Sequence, residues 1–150
     1  MSAETLHFKI GLVGTYWDKR PEYTILVNDA VVSSGKVECA SKELFYVEFD
    51  SALPEGPATL KIRLENKTDD DVVKDDDFRD DYTIVNDMLF HIRSVEIDEI
   101  SLGNLLHEKN QYIADDTARP TLDKCLDFGW NGTWIFPFNS PFYIWLLENI

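Results

Sequence analysis

The feature that most limits the possible folds of this chain is a period of two. Leu6, Phe8, Ile10 and Leu12 alternate with His7, Lys9 and Gly11. Leu60, Ile62 and Leu64 alternate in the same way with Lys61, Arg63 and Glu65. Successive side chains of a strand point to opposite faces, so such runs are strands with one dry and one wet side. Tyr23, Ile25 and Val27 repeat the pattern, and Phe45, Val47 and Phe49 form a further inward set. Helical periodicity appears over no useful length, apart from one predicted turn at Asn104 to Lys109.

Punctuation between the runs is equally regular. Asn28-Asp29 is a hairpin turn signal that sends the chain back through Val31-Val32. Ser33-Ser34-Gly35 reads as another turn, and Leu53-Pro54-Glu55-Gly56-Pro57 as a loop, because each Pro removes a ladder donor. Phe90 and Ile92 share a phase that slips before Val95 and Ile97, which predicts a bulge near Arg93-Ser94. Several short strands at this spacing predict an all-β fold, an antiparallel, jelly-roll-like β-sandwich.

Into this pattern breaks one acidic segment. Of the thirteen residues from Asp69 to Asp81, eight are Asp, opposed only by Lys74 and Arg79. Asp competes with strand and helix backbone for hydrogen bonds, so the segment is a loop. Like charges at this density repel. Either water solvates them or a hard cation with oxygen ligands sits among them, and calcium is the candidate. The spacing is not that of an EF-hand, since no Gly stands at its centre and no Glu closes it.

The formal net charge is −14 over 150 residues, one domain by length. That argues against a nucleic-acid partner, which needs a basic face, and equally against an anionic membrane surface. Cations and neutral ligands such as sugars remain. Cys39 and Cys125 allow at most one disulfide. The first residues show neither a basic nor an apolar signal region, which points to synthesis in a cytoplasm. No nucleophile motif, phosphate loop or zinc spacing is present. His7 and His91 fall opposite the apolar sets and are expected on the surface. A carboxylate pair for glycan hydrolysis is the one enzymatic alternative.

Two aromatics, Tyr16 and Trp17, lie in the loop Gly14 to Pro21. Flat faces there would stack on a sugar ring, or Trp17 would fold back over the sandwich end. Near the C-terminus, Phe128, Trp130, Trp134, Phe136, Phe138, Phe142, Tyr143 and Trp145 are eight of nineteen aromatics. Thr133 to Phe138 and Phe142 to Glu148 read as an aromatic β-hairpin around Asn139-Ser140-Pro141. Both faces of its second arm are apolar, so something covers both. The cover is either this domain or a partner bound through Trp134, Phe136, Phe142 and Trp145. The chain thus divides into a sandwich, 1–103, and an irregular connection with the hairpin, 104–150.

Gly14-Thr15-Tyr16, Pro21 to Asp29, Leu60 to Asn66 and the run Ile92-Arg93-Ser94-Val95-Glu96-Ile97-Asp98-Glu99-Ile100 together resemble the calcium-dependent xylan-binding modules, families 36 and 60 of the carbohydrate-binding modules. The resemblance covers residues 6–103. Asn28-Asp29-Ala30 replaces the family's Asp-Gly turn, and Glu65-Asn66-Lys67 its Asn-Asp pair. It implies a non-catalytic module that grips a polysaccharide or cell-surface glycan through calcium in the acidic loop. The matching ligands would be Asn66, Asp75, Asp76, Asp77, Asp80 and Asp81. The ending Phe128 to Trp134 and Ser140 to Asn149 is similar to endings of tailed-phage proteins of marine cyanobacterial viruses. That implies a bacteriophage virion component, as tail, fibre or capsid decoration, with other subunits or copies of itself as partners. A purely structural assembly protein with no ligand is the alternative.

Overall fold

The structure is a computed structural model and describes residues 3–68, 73–75 and 83–149. Two antiparallel sheets face each other as a β-sandwich, as the alternation predicts. The first sheet runs β12 (Asp127–Phe128), β8 (Leu89–Ile97), β1 (Ala3–Thr15), β4 (Leu44–Pro54), with β9 (Ile100–Ser101) returning on β8. The second runs β11 (Leu122–Asp123), β10 (Gln111–Ala114), β13 (Gly132–Ser140), β5 (Gly56–Leu64), β2 (Glu22–Val27), β3 (Ala30–Lys36). In a separate pair, β6 (Val73–Asp75) of the acidic segment runs antiparallel to β7 (Thr83–Asn86), which follows it. A five-residue helix, α1 (Asn104–Glu108), stands where one turn is predicted.

The core sits between the sheets. Leu6, Phe8, Ile10 and Leu12 are buried from β1, and Leu60, Ile62 and Leu64 from β5. Burying each such side chain contributes about 1.5–3 kcal/mol. Aromatic rings bridge the layers: Phe8 lies 6.4 Å from Phe138, Tyr23 5.9 Å from Phe90, and Tyr112 4.4 Å from Phe128. Phe49 of the edge strand β4 stacks on Phe8 at 5.0 Å.

The Asn28-Asp29 turn forms as read. Both residues adopt positive φ, 50° and 66°, the conformation a two-residue hairpin loop of the primed type needs. The bulge also forms: Gly11 pairs with Ser94 and Leu12 with Ile92, so Arg93 is the extra residue, turned out to solvent. Ser33-Ser34-Gly35 makes no turn. It continues β3, paired with Ile25, Thr24 and Tyr23, because an edge strand tolerates small polar residues. Cys39 and Cys125 are free thiols.

The C-terminal hairpin is corrected. Its first arm is β13, which lies between β10 and β5. Its second arm is a helix, α2 (Phe142–Asn149). A run apolar in every phase carries no period, so length and context decide between strand and helix. Here Phe142 and Trp145, one helical turn apart, are buried, while Tyr143, Ile144 and Leu147 stay exposed. The start of α2 is held by Glu4 of β1, whose carboxylate accepts the Phe142 N–H at 2.7 Å and the Ser140 hydroxyl. A carboxylate at a helix N-terminus satisfies an orphan donor and complements the dipole.

Trp134, Phe136, Phe142 and Trp145 are all buried within the chain's own core. Trp145 sits edge-on to Phe136 at 5.9 Å, and Trp134 stacks on Phe136 at 6.0 Å. Of the two covers the sequence left open, the domain itself takes these four side chains, so they do not form a partner surface.

Candidate functional site

β1 ends at Thr15 opposite Leu89, and Val13 pairs with Leu44. In the other sheet Leu64 pairs with both Tyr23 and Gly132. These registers bring the loops 16–21, 37–43, 65–68, 87–88 and 129–131 to one pole of the sandwich. The entry to the acidic segment and the Tyr16-Trp17 loop therefore share a surface.

Lys67 is the centre of this pole. Its ammonium lies 2.6 Å from an Asp87 carboxylate oxygen, with the side chains 2% and 19% exposed. It also donates to the Gly129 carbonyl and lies 5.2 Å from the centre of the Trp130 ring. A buried ammonium is tolerated only when its donors are engaged in this way. The Lys67 backbone exchanges two 2.8 Å hydrogen bonds with the Asn131 side-chain amide. Arg119 approaches the same Trp130 ring, its guanidinium 3.8 Å from the centre. Next to it, Gly132 must be glycine: an added Cβ would meet the Ile113 carbonyl oxygen at 2.5 Å.

Asn66 braces the loop that leads into β2. Its Oδ1 accepts the Glu22 N–H and its Nδ2 donates to the Arg20 carbonyl, both at 2.8 Å. Val73, Lys74 and Asp75 pair with Asn86, Ile84 and Thr83, so the acidic segment doubles back as a hairpin. Of the expected ligands, Asp75 belongs to that hairpin, while Asp76, Asp77, Asp80 and Asp81 lie outside the described residues. Among the described residues no group of three or more His, Cys, Asp or Glu is placed to hold a metal ion.

Tyr16 is a brace and not an open platform. Its hydroxyl donates to the Cys39 carbonyl at 2.6 Å, its N–H donates to Ser41 Oγ at 2.9 Å, and Arg20 lies 5.2 Å from its ring centre. Trp17 is 45% exposed. Trp130 was legible only as one of a cluster of aromatics. The signal for its role is its place in Gly129-Trp130-Asn131, the bend that joins β12 to β13.

His91, expected on the surface, is buried. Its Nδ1 lies 2.7 Å from Asp127 Oδ1 and its Nε2 2.9 Å from Thr15 Oγ1. Burial works to raise the Asp127 pKa, but hydrogen bonds from His91 and Arg93 outweigh it and hold the carboxyl below its usual value. The three residues come from β1, β8 and β12, so the chain of bonds ties three strands together beside the pole.

No protein-family model matches the chain, and no curated protein matches it. Solved structures do match in fold. The module vCBM60 in complex with galactobiose aligns over 87% of this chain and 96% of its own, with TM-score 0.55 and 6% identity. The selenomethionine form of vCBM60 aligns over 87% and 89%, with TM-score 0.58 and 6% identity. That form is described under a circular permutation that links two families of calcium-dependent carbohydrate-binding modules. The sandwich thus shares its fold with this module.

Proposed function

We propose that this chain is a non-catalytic carbohydrate-binding module that takes a glycan at its loop pole, with calcium held in the acidic segment. The observation that carries the reading is the shared sandwich, which spans most of both chains. At the pole the half-exposed Trp17 and the polar loops around it support the reading. A net charge of −14 suits a neutral glycan and disfavours a phosphorylated or sulfated one.

For calcium, the donor chemistry fits. Asp75, Asp76, Asp77, Asp80 and Asp81 supply hard oxygens, as calcium prefers. Asn66 has its amide engaged by Arg20 and Glu22, so the Asp residues would carry the ion. Bound there, calcium would offset the carboxylate repulsion and offer open coordination positions to sugar hydroxyls.

The test is calorimetry with xylan fragments and galactobiose, in calcium and then in chelator. Heat of binding in calcium that disappears in chelator is the expected result. No heat with any glycan in calcium overturns the reading.

A second reading, a structural subunit of a phage particle, draws on one observation. Helix α2 leaves Tyr143, Ile144 and Leu147 exposed, and Leu147 is 74% exposed. Apolar side chains grouped on one helix face suit contact with a neighbouring subunit. Sedimentation of the pure protein tests it: a monomer at every concentration would remove self-assembly from this reading.

A further inference from the structure

The two edge strands on one flank, β3 and β4, do not close against each other. At that point β3 turns Ser33 and Gly35 toward the space between the sheets, both too small to fill it. A slot of about 360 Å3 results, lined by Tyr23, Ser34, Lys36, Glu38, Phe45 and Tyr46 among others. A second hollow of about 340 Å3 shares Tyr23, Ser34, Gly35 and Lys36, and continues toward Thr24 and Glu65.

The floor is aromatic. Tyr23 and Phe45 have ring centres 5.9 Å apart, with Phe90 stacked on Tyr23 from the core side of the sandwich. The Tyr23 hydroxyl lies 3.8 Å from where a Cβ on Gly35 would stand, so it reaches the wall of the slot. No described residue hydrogen-bonds to it. A half-buried phenol with an unused donor and acceptor is addressed to whatever enters. The rim adds groups of both kinds: the Ser34 hydroxyl, the Glu38 carboxylate, and Lys36, whose ammonium lies 3.4 Å from Glu22.

These features select one chemistry. A purely apolar guest would leave Ser34, Glu38 and the Tyr23 hydroxyl without partners. An anion would meet Glu22, Glu38 and Glu65 on a chain of charge −14. A neutral pyranose has an apolar face for the aromatic floor and hydroxyls for the rim. We infer that the slot between β3 and β4 is a second saccharide site, independent of metal and beside the loop pole, whose loops 37–43 and 65–68 lend it Glu38 and Glu65. It extends the glycan-binding reading but draws on other residues, so each fails on its own evidence.

The experiment is a two-dimensional NMR titration of the whole chain with galactobiose and xylobiose in the presence of chelator. The expected shifts fall on Tyr23, Gly35, Lys36 and Phe45. Gly35→Leu should fold, because an added Cβ there meets no atom other than the Tyr23 hydroxyl within 4 Å, and it should abolish those shifts. Tyr23→Phe keeps the floor and removes the hydroxyl, weakening binding about five-fold, the worth of one hydrogen bond. Absence of slot shifts with both sugars, or slot shifts that persist in folded Gly35→Leu, overturns the inference. Slot shifts in chelator without any response at Trp17, Lys67 or Trp130 in calcium would uphold it and sink the proposed pole site.

Discussion

The Lys67 ammonium and the Asp87 carboxylate meet at 2.6 Å, two residues before the acidic segment begins and one after β7 ends. Two residues twenty positions apart thus close the base of the segment. Breaking a buried pair leaves the other charge uncompensated. Lys67→Met is expected to cost about 3 kcal/mol, and Lys67→Met with Asp87→Leu to recover most of it. Urea denaturation of the two variants and the parent measures both. Equal loss in single and double variants would mean the pair is not what Lys67 contributes.

Calcium in the acidic segment makes a thermal prediction. An ion that binds only the folded state stabilises it by mass action, about 2.7 kcal/mol at one hundred times its dissociation constant. The parent protein should therefore melt higher in calcium than in chelator. Replacing Asp75, Asp76 and Asp77 together by Asn should lower the melting temperature in calcium and leave it unchanged in chelator. A calorimetric scan in the two buffers gives the answer.

His7 makes a pH prediction of definite sign. Its Nδ1 lies 2.7 Å from Asp50 and its Nε2 3.1 Å from Glu48, both across the β1–β4 pairing. The Asp50 hydrogen bond first, then that of Glu48, raises its pKa above 6.5. A folded pKa above the unfolded one contributes stability that is full below 6.5 and lost as pH rises through the folded value. The melting temperature should therefore fall as pH rises from 6 through 8, and His7→Gln should flatten that slope. An NMR titration of the ring that gives a pKa at or below 6.5 would contradict the pairing.

Glu4 is expected to hold α2 in place. With Glu4→Ala the Phe142 N–H and the Ser140 hydroxyl lose their acceptor. Loss of a helix-terminal acceptor costs about 1 kcal/mol. Hydrogen exchange should then speed up across residues 142–149 and stay unchanged in β1 beyond residue 6. Glu4→Gln, which keeps an acceptor oxygen, should fall between the two.

Much of the sandwich was legible because β1, β2, β5 and β8 each have one wet face. Alternation is visible only where the two faces differ in solvent, and the Asn28-Asp29 turn and the Arg93 bulge follow from that phase. The rest is hidden for identifiable reasons. The α2 segment is apolar in every phase, and its anchor, Glu4, stands 138 residues away from Phe142. Ser33 to Gly35 has turn composition, yet pairing with β2 overrides it. Lys67 reads as one more loop lysine, and His91 as an outward strand residue. Their burial depends on Asp87, Asp127 and Trp130, partners that no local pattern announces. At the site, Trp17 was visible as an aromatic in a loop, whereas the slot was not. It arises from what β3 lacks.

The contact between Glu4 and Phe142 also has a mechanical meaning. It joins the start of β1 to the segment after β13, at the pole opposite the loops. The thirteen residues of β1 span about 40 Å at strand rise. A pull applied between residues 3 and 149 would therefore load that junction first, together with the Ala3–Pro54 end of the β1–β4 pairing and the Tyr143–Asp98 bond. The loop pole, a strand length away in both sheets, would stay slack until the far end had given way.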